Sequence, residues 1–222
     1  MKAALLKIFS VLACTIGLVS SARAIVITFD DLPNSTTGLP IPNGYAGLDW
    51  NDFSELNGTG FSLSSGFRTG VVSPNNVAFN TDGMDATITP AAPATTFTLS
   101  DGFFTAARDS SGLLLTVTGY GPGNSLLHTT SFTLYTTGPS YENFDWTGLS
   151  EVIFSLPGGG ICSPCSPTQF VLDNLCVVIG PSPVSSVPEP TKTALSIFFL
   201  GMGIIGAFRA RRQRGALLPC RA

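Results

Sequence analysis

The chain has 222 residues and a formal net charge of −3. The charge is unevenly placed: residues 25–186 hold 13 Asp/Glu against two basic residues, Arg68 and Arg108, and no Lys. A body this acidic excludes nucleic-acid binding and docking on anionic lipid, both of which need a cationic face.

Residues 1–24 have the three parts of a secretory signal peptide. Lys2 and Lys7 supply the charged start, residues 8–19 the apolar stretch, and Ala22-Arg23-Ala24 a small-x-small cleavage site. Signal peptidase is expected to cut before Ile25. Two alternatives stand beside this. One is an uncleaved anchor, for which the apolar stretch is short. The other is a lipoprotein signal at Cys14, which crowds the apolar region against Lys7.

Residues 25–180 read as one domain, long enough to bury a core. Apolar or β-branched runs recur: IVITF (25–29), TTFTLS (95–100), GLLLTVTGY (112–120), TTSFTLYTT (129–137), EVIFSL (151–156) and QFVLDNLCVVIG (169–180). In SFTLY the period is two, with Phe132 and Leu134 on one face and Thr133 and Tyr135 on the other. Gly/Pro/Asn clusters at 32–44, 73–76, 81–83, 90–93, 119–124 and 156–160 break the runs. About ten short strands at this spacing predict an all-β fold, a two-sheet β-sandwich of jelly-roll type.

Catalytic patterns are sparse. His128 is the one histidine, and there is no G-x-S-x-G elbow. One imidazole without clustered ligands speaks against a zinc enzyme. The carboxylate pairs Asp49/Asp52, Asp82/Asp85 and Glu142/Asp145 read as turn or loop pairs rather than a glycosidase dyad. The domain is therefore expected not to be an enzyme, with a secreted carbohydrate-active hydrolase as the alternative. Cys162, Cys165 and Cys176 suit a disulfide outside the cytoplasm, either to Cys176 or between Cys162 and Cys165. Tyr45, Trp50, Tyr120, Tyr141 and Trp146 fall in or beside loops. Such rings can stack on the C–H face of a sugar, which makes Tyr45, Trp50, Tyr141 and Trp146 candidate polysaccharide ligands. Trp50 and Trp146 also sit in alternating runs, which is the pattern of core residues.

Residues 181–192 form a Pro/Ser linker that ends in Val187-Pro188-Glu189-Pro190. The prolines bar helix and leave this segment extended. An apolar run follows at 193–208, then a basic tail at 209–222 with Arg209, Arg211, Arg212 and Arg214. As a helix the run would be about 24 Å long, short of the ~30 Å hydrocarbon core, with Lys192 and Arg209 able to snorkel. A transmembrane helix is expected, with the arginines on the cytoplasmic side. The order of these elements resembles the PEP-CTERM sorting signal of bacterial exported proteins. Pro188, Glu189 and Pro190 match the motif that names the family. The resemblance implies a precursor in the inner membrane, cleavage near Pro-Glu-Pro by an exosortase, and a body placed at the cell surface or released. The eight residues after Arg214 depart from such tails, which usually stop soon after the arginines.

The body also carries ITFDDLP, IPNGYAGLDWNDF and FVLDNLCV. These resemble a domain common among secreted PEP-CTERM proteins and similar in outline to galactose-binding-like sandwiches. That resemblance implies pairing of the first and last strands and a structural calcium, with Asp30, Asp31 and Asp173 as candidate ligands. The other reading has Asp31 opening a turn and Asp173 hydrogen-bonding loop backbone.

Overall fold

The computed structural model describes residues 23–92, 95–108, 112–156 and 168–181. Residues 1–22 of the expected signal peptide, the sorting tail, the transmembrane run, Cys162 and Cys165 lie outside these residues, while Arg23 and Ala24 open the first strand. Among the described residues no helix is long and apolar enough to cross a membrane.

The chain folds into two antiparallel sheets. Its strands are β1 (Arg23–Ile27), β2 (Leu39–Pro40), β3 (Leu48–Asn51), β4 (Phe53–Asn57), β5 (Asn76–Asn80) and β6 (Ala86–Pro90), then β7 (Thr95–Ala106), β8 (Leu113–Gly121), β9 (Ser125–Leu134), β10 (Ser140–Leu149), β11 (Glu151–Ser155) and β12 (Phe170–Pro181). One sheet runs β10-β7-β12-β5-β4-β2, with β1 also paired to β12; the other runs β3-β6-β11-β8-β9. One turn of α-helix, α1 (Gly66–Thr69), lies between β4 and β5, after a 3-10 turn at Gly58–Gly60. The first and last strands pair antiparallel, from Arg23 opposite Ile179 to Ile27 opposite Leu175.

The period of two decides which side chains enter the sandwich. Leu113, Leu115 and Val117 of β8 are buried, and the residues between them face outward. Leu134 is buried and Phe132 packs on the core, while Thr133 and Tyr135 are exposed, as the alternation predicts. Phenylalanines bridge the two sheets: Phe53 meets Phe154 edge-on at 5.7 Å, and Phe104 lies 6.0 Å from Phe154. Each buried Phe contributes about 1.5–3 kcal/mol, and edge-to-face pairing adds roughly 0.5–1.5.

A second apolar cluster covers the outer face of the larger sheet. It comprises Leu56, Phe67, Val77, Phe79, Ala107 and Val171, with Phe61 and Val71 against it. The smaller sheet leaves hydroxyls on its outer face, where Thr116 bonds Ser131 at 2.8 Å and Thr118 bonds Thr129 at 3.3 Å. Among the described residues every strand, its partner strands and both clusters fall within residues 23–181. A chain of residues 25–186 therefore carries nearly the whole sandwich and its full core.

Candidate functional site

The turn that joins β4 to α1 builds a cleft on the outer face of the larger sheet. Asn57 caps it, its Oδ1 accepting from Thr59 N–H at 2.8 Å. The Arg68 guanidinium donates to Thr59 O. Gly66 starts α1 against the end of β7: its N–H donates to Ala107 O at 2.9 Å, and a Cβ there would lie 1.7 Å from Ala106 O. Only glycine fits so close an approach. The turn thereby delivers Phe61 and Phe67 onto the sheet, 4.8 Å apart, with Phe67 edge-on to Phe79 at 5.4 Å. The opposite wall is the segment that leads into β2, held by Asn57 N–H on Ser35 O at 2.6 Å.

The resulting cleft has a volume of about 580 Å³, within the range of small-molecule sites. Phe61, Phe67, Phe79 and Leu56 give it an apolar floor. Thr36, Thr37, Ser54, Thr81, Asp82 and Gln169 supply hydroxyl, carboxylate and amide groups. Arg108 is exposed at the rim, its guanidinium carbon 5.6 Å from the centre of the Phe67 ring. Asp82 is the one carboxylate among these lining residues. General acid–base cleavage of a glycoside uses two.

Directly behind the cleft floor lies a buried acid. Ser54 and Leu56 of β4 face the cleft, so alternation places Glu55 on the face that carries Phe53. Glu55 is 1% exposed, and neither carboxylate oxygen has a hydrogen-bond partner. Burial pushes its pKa from 4.5 up to about 7, because an unpaired buried carboxylate is costly to ionise.

Asp30, Asp31 and Asp173, the candidate calcium ligands, each accept hydrogen bonds from protein donors. Asp173 is fully buried; its Oδ2 accepts from Val72 and Ser73 N–H at 2.7 and 2.9 Å, its Oδ1 from Ser73 Oγ and Asn174 N–H at 2.8 and 2.7 Å. Burial still moves its pKa upward, against these donors. Asp30 Oδ1 accepts from Asn75 and Asn76 N–H, both at 3.0 Å. Asp31 accepts from Tyr45 Oη at 2.5 Å. Among the described residues no group of three His, Cys, Asp or Glu side chains is placed to hold a metal ion. These carboxylates bind backbone and hydroxyl donors and tie the 28–33 and 71–76 segments to β12.

Of the four aromatic candidates, the two tryptophans need correcting. Trp50 (4% exposed) and Trp146 (9%) are core residues. Trp50 packs edge-on against Phe29 and Phe53 and donates Nε1–H to Tyr45 O at 3.0 Å. Trp146 stacks on His128 at 5.0 Å. Tyr45 is half-buried between Phe29 and Trp50, and burial followed by the Asp31 hydrogen bond raises its pKa well above the usual phenol range. Tyr141 is 51% exposed, beside Phe103 at 5.2 Å. None of the four lines the cleft. The rings that do are phenylalanines, and the one sequence signal for them is FSLSSGF (61–67), apolar residues around a serine-rich turn. Cys176 is buried and disulfide-bonded, and the chain's other four cysteines lie outside the described residues.

No family model matches the chain, and no curated protein matches it. Solved structures similar to it include the following three. A DUF4465 family protein from Bacteroides caccae shares 12% identity over 70% of this chain and 98% of its own, with a TM-score of 0.49. An arabinose-bound α-L-arabinofuranosidase shares 12% identity over 70% of this chain and 26% of its own, at 0.38. A carbohydrate-binding module in complex with β-1,4-galactotriose shares 6% identity over 64% of this chain and 93% of its own, at 0.28.

Proposed function

We propose that this chain is an exported cell-surface or extracellular-matrix protein whose sandwich binds polysaccharide without cleaving it. The tail at 187–214 serves as a sorting signal cut by an exosortase, after signal peptidase has removed residues 1–24. The observation that carries the binding half is the cleft: an aromatic floor ringed by short hydroxyls, an amide, one carboxylate and one guanidinium. A sugar ring presents a C–H face to aromatic rings and hydroxyls to such polar groups. The single lining carboxylate favours binding over hydrolysis. The acidic body favours a neutral glycan over a polyanion.

Titrating residues 25–186 against a glycan array and calcium, with calorimetry on the best ligand, tests this reading. Binding without release of reducing ends, weakened by Arg108→Ala, is the expected outcome. Release of reducing ends that is lost on Asp82→Asn would establish the hydrolase alternative instead. For sorting, replacing Glu189 or the arginines at 209–214 is expected to leave an unprocessed inner-membrane form. Normal processing of those variants would count against the exosortase assignment.

A further inference from the structure

Among the described residues the β8–β9 hairpin is a long surface of this acidic body without charge. From 110 to 141 there is no Asp, Glu, Lys or Arg. β9 ends the smaller sheet, paired with β8 on one side and with no second strand partner among the described residues. It is 10 residues long, its first seven are exposed, and Leu126 is 61% exposed. Apart from one register shift near Leu127, it runs regularly from His128 to Leu134 opposite β8.

Exposed strand edges present free N–H and C=O groups, and proteins normally blunt them with charge, proline, bulges or brevity. The other edges here are blunted in those ways. β2 has two residues and ends in Pro40. β3 has four and includes Asp49. β1 has five. β10 is long but carries Glu142 and Asp145 and two register shifts. β9 has none of these protections over 128–134.

We propose that β9 is a self-association edge: two copies of the chain pair antiparallel through residues 128–134, joining their smaller sheets into one continuous sheet. The occupant is a second copy for two reasons. An uncharged edge offers nothing to complement a charged foreign strand, whereas antiparallel pairing of identical edges about a two-fold axis is self-complementary. Elsewhere two copies of so acidic a body repel each other, and this hairpin is where they can meet without like-charge contact. Pairing here leaves the cleft, on the other sheet, open in both copies.

Light scattering on residues 25–186 tests the edge. The wild-type body is expected at twice its monomer mass. Thr129→Glu/Ser131→Glu puts like charges on both sides of the seam at exposed positions, and is expected to halve that mass while keeping the circular dichroism spectrum and cooperative melt. Thr129→Lys/Ser131→Lys should do the same alone, and an equimolar mixture of the two variants should recover the doubled mass. A wild-type body that stays monomeric, a folded Glu variant that keeps the doubled mass, or a mixture that stays monomeric overturns the proposal.

Discussion

Two neighbouring regions of the larger sheet treat buried polarity in opposite ways. Where β1, β12 and the 71–76 segment meet, both oxygens of Asp173 are saturated by four donors, and Asp30 takes two more. At the β2–β4 edge, Glu55 is equally buried and has no donor at all, and the opposite face of the same strand opens into the cleft. The first region uses carboxylates as nails for loops that lack regular partners. The second tolerates an unpaired acid inside, and outside it pairs short polar groups such as Ser54 Oγ and Thr81 Oγ1, 2.8 Å apart, around an open cleft.

Breaking the nail should have the largest effect. Asp173→Ala orphans the N–H groups of Val72, Ser73 and Asn174, each worth about 1–3 kcal/mol, while the Ser73 hydroxyl keeps Thr28 O. The sum approaches the roughly 5–15 kcal/mol that holds a whole domain together. Circular dichroism is expected to show an unfolded or insoluble body, and a folded one melting like wild type would refute the saturated-knot description.

The unpaired acid predicts a pH dependence of known sign. Glu55 has a folded pKa raised to about 7 from 4.5. Its stabilisation is therefore fully present below pH 4.5 and lost as pH rises through 7, by about 3 kcal/mol at the alkaline end. Asp173 and Asp101 shift in the same direction, so the difference between wild type and Glu55→Gln isolates the glutamate. Wild-type melting temperature should fall between pH 5 and 8, and the Gln variant should fall less and melt higher at pH 8. Parallel curves would mean that Glu55 has a partner.

Smaller effects sharpen the contrast on the cleft side. Arg108→Ala should weaken glycan binding about tenfold, roughly 1.4 kcal/mol, and leave stability within about 0.5 kcal/mol, since the side chain is exposed. A large loss of stability with unchanged affinity would make Arg108 a structural residue. Tyr45→Phe should cost the least, about 1 kcal/mol for the lost bond to Asp31, read from denaturant melts with no change in affinity.

The sequence carried much of the fold because alternation is local. GLLLTVTGY and QFVLDNLCVVIG announce β8 and β12 through their own residues. Strands β4 to β6 are harder to read: FSELN puts an acid on an inward position, and NVAFN is framed by asparagines whose partners are distant. Asn80 Oδ1 accepts from Phe170 N–H, a residue 90 positions away. The candidate site was less legible still. Tryptophans and tyrosines beside loops are a reasonable signal for sugar stacking, yet Trp50 and Trp146 fill the core and the floor of the cleft is made of phenylalanines.

By itself, then, the sequence determined an acidic all-β body between an apolar N-terminal stretch and a Pro-Glu-Pro, apolar and arginine tail, because composition and a period of two are properties of neighbouring residues. Only the tertiary structure decided that Asp30, Asp31 and Asp173 hold loops, that Phe61, Phe67, Phe79, Arg108 and Gln169 share one cleft, and that β9 is left as an uncharged edge. Those outcomes depend on which distant strands pair and on which side each one shows to water, and no local pattern encodes either.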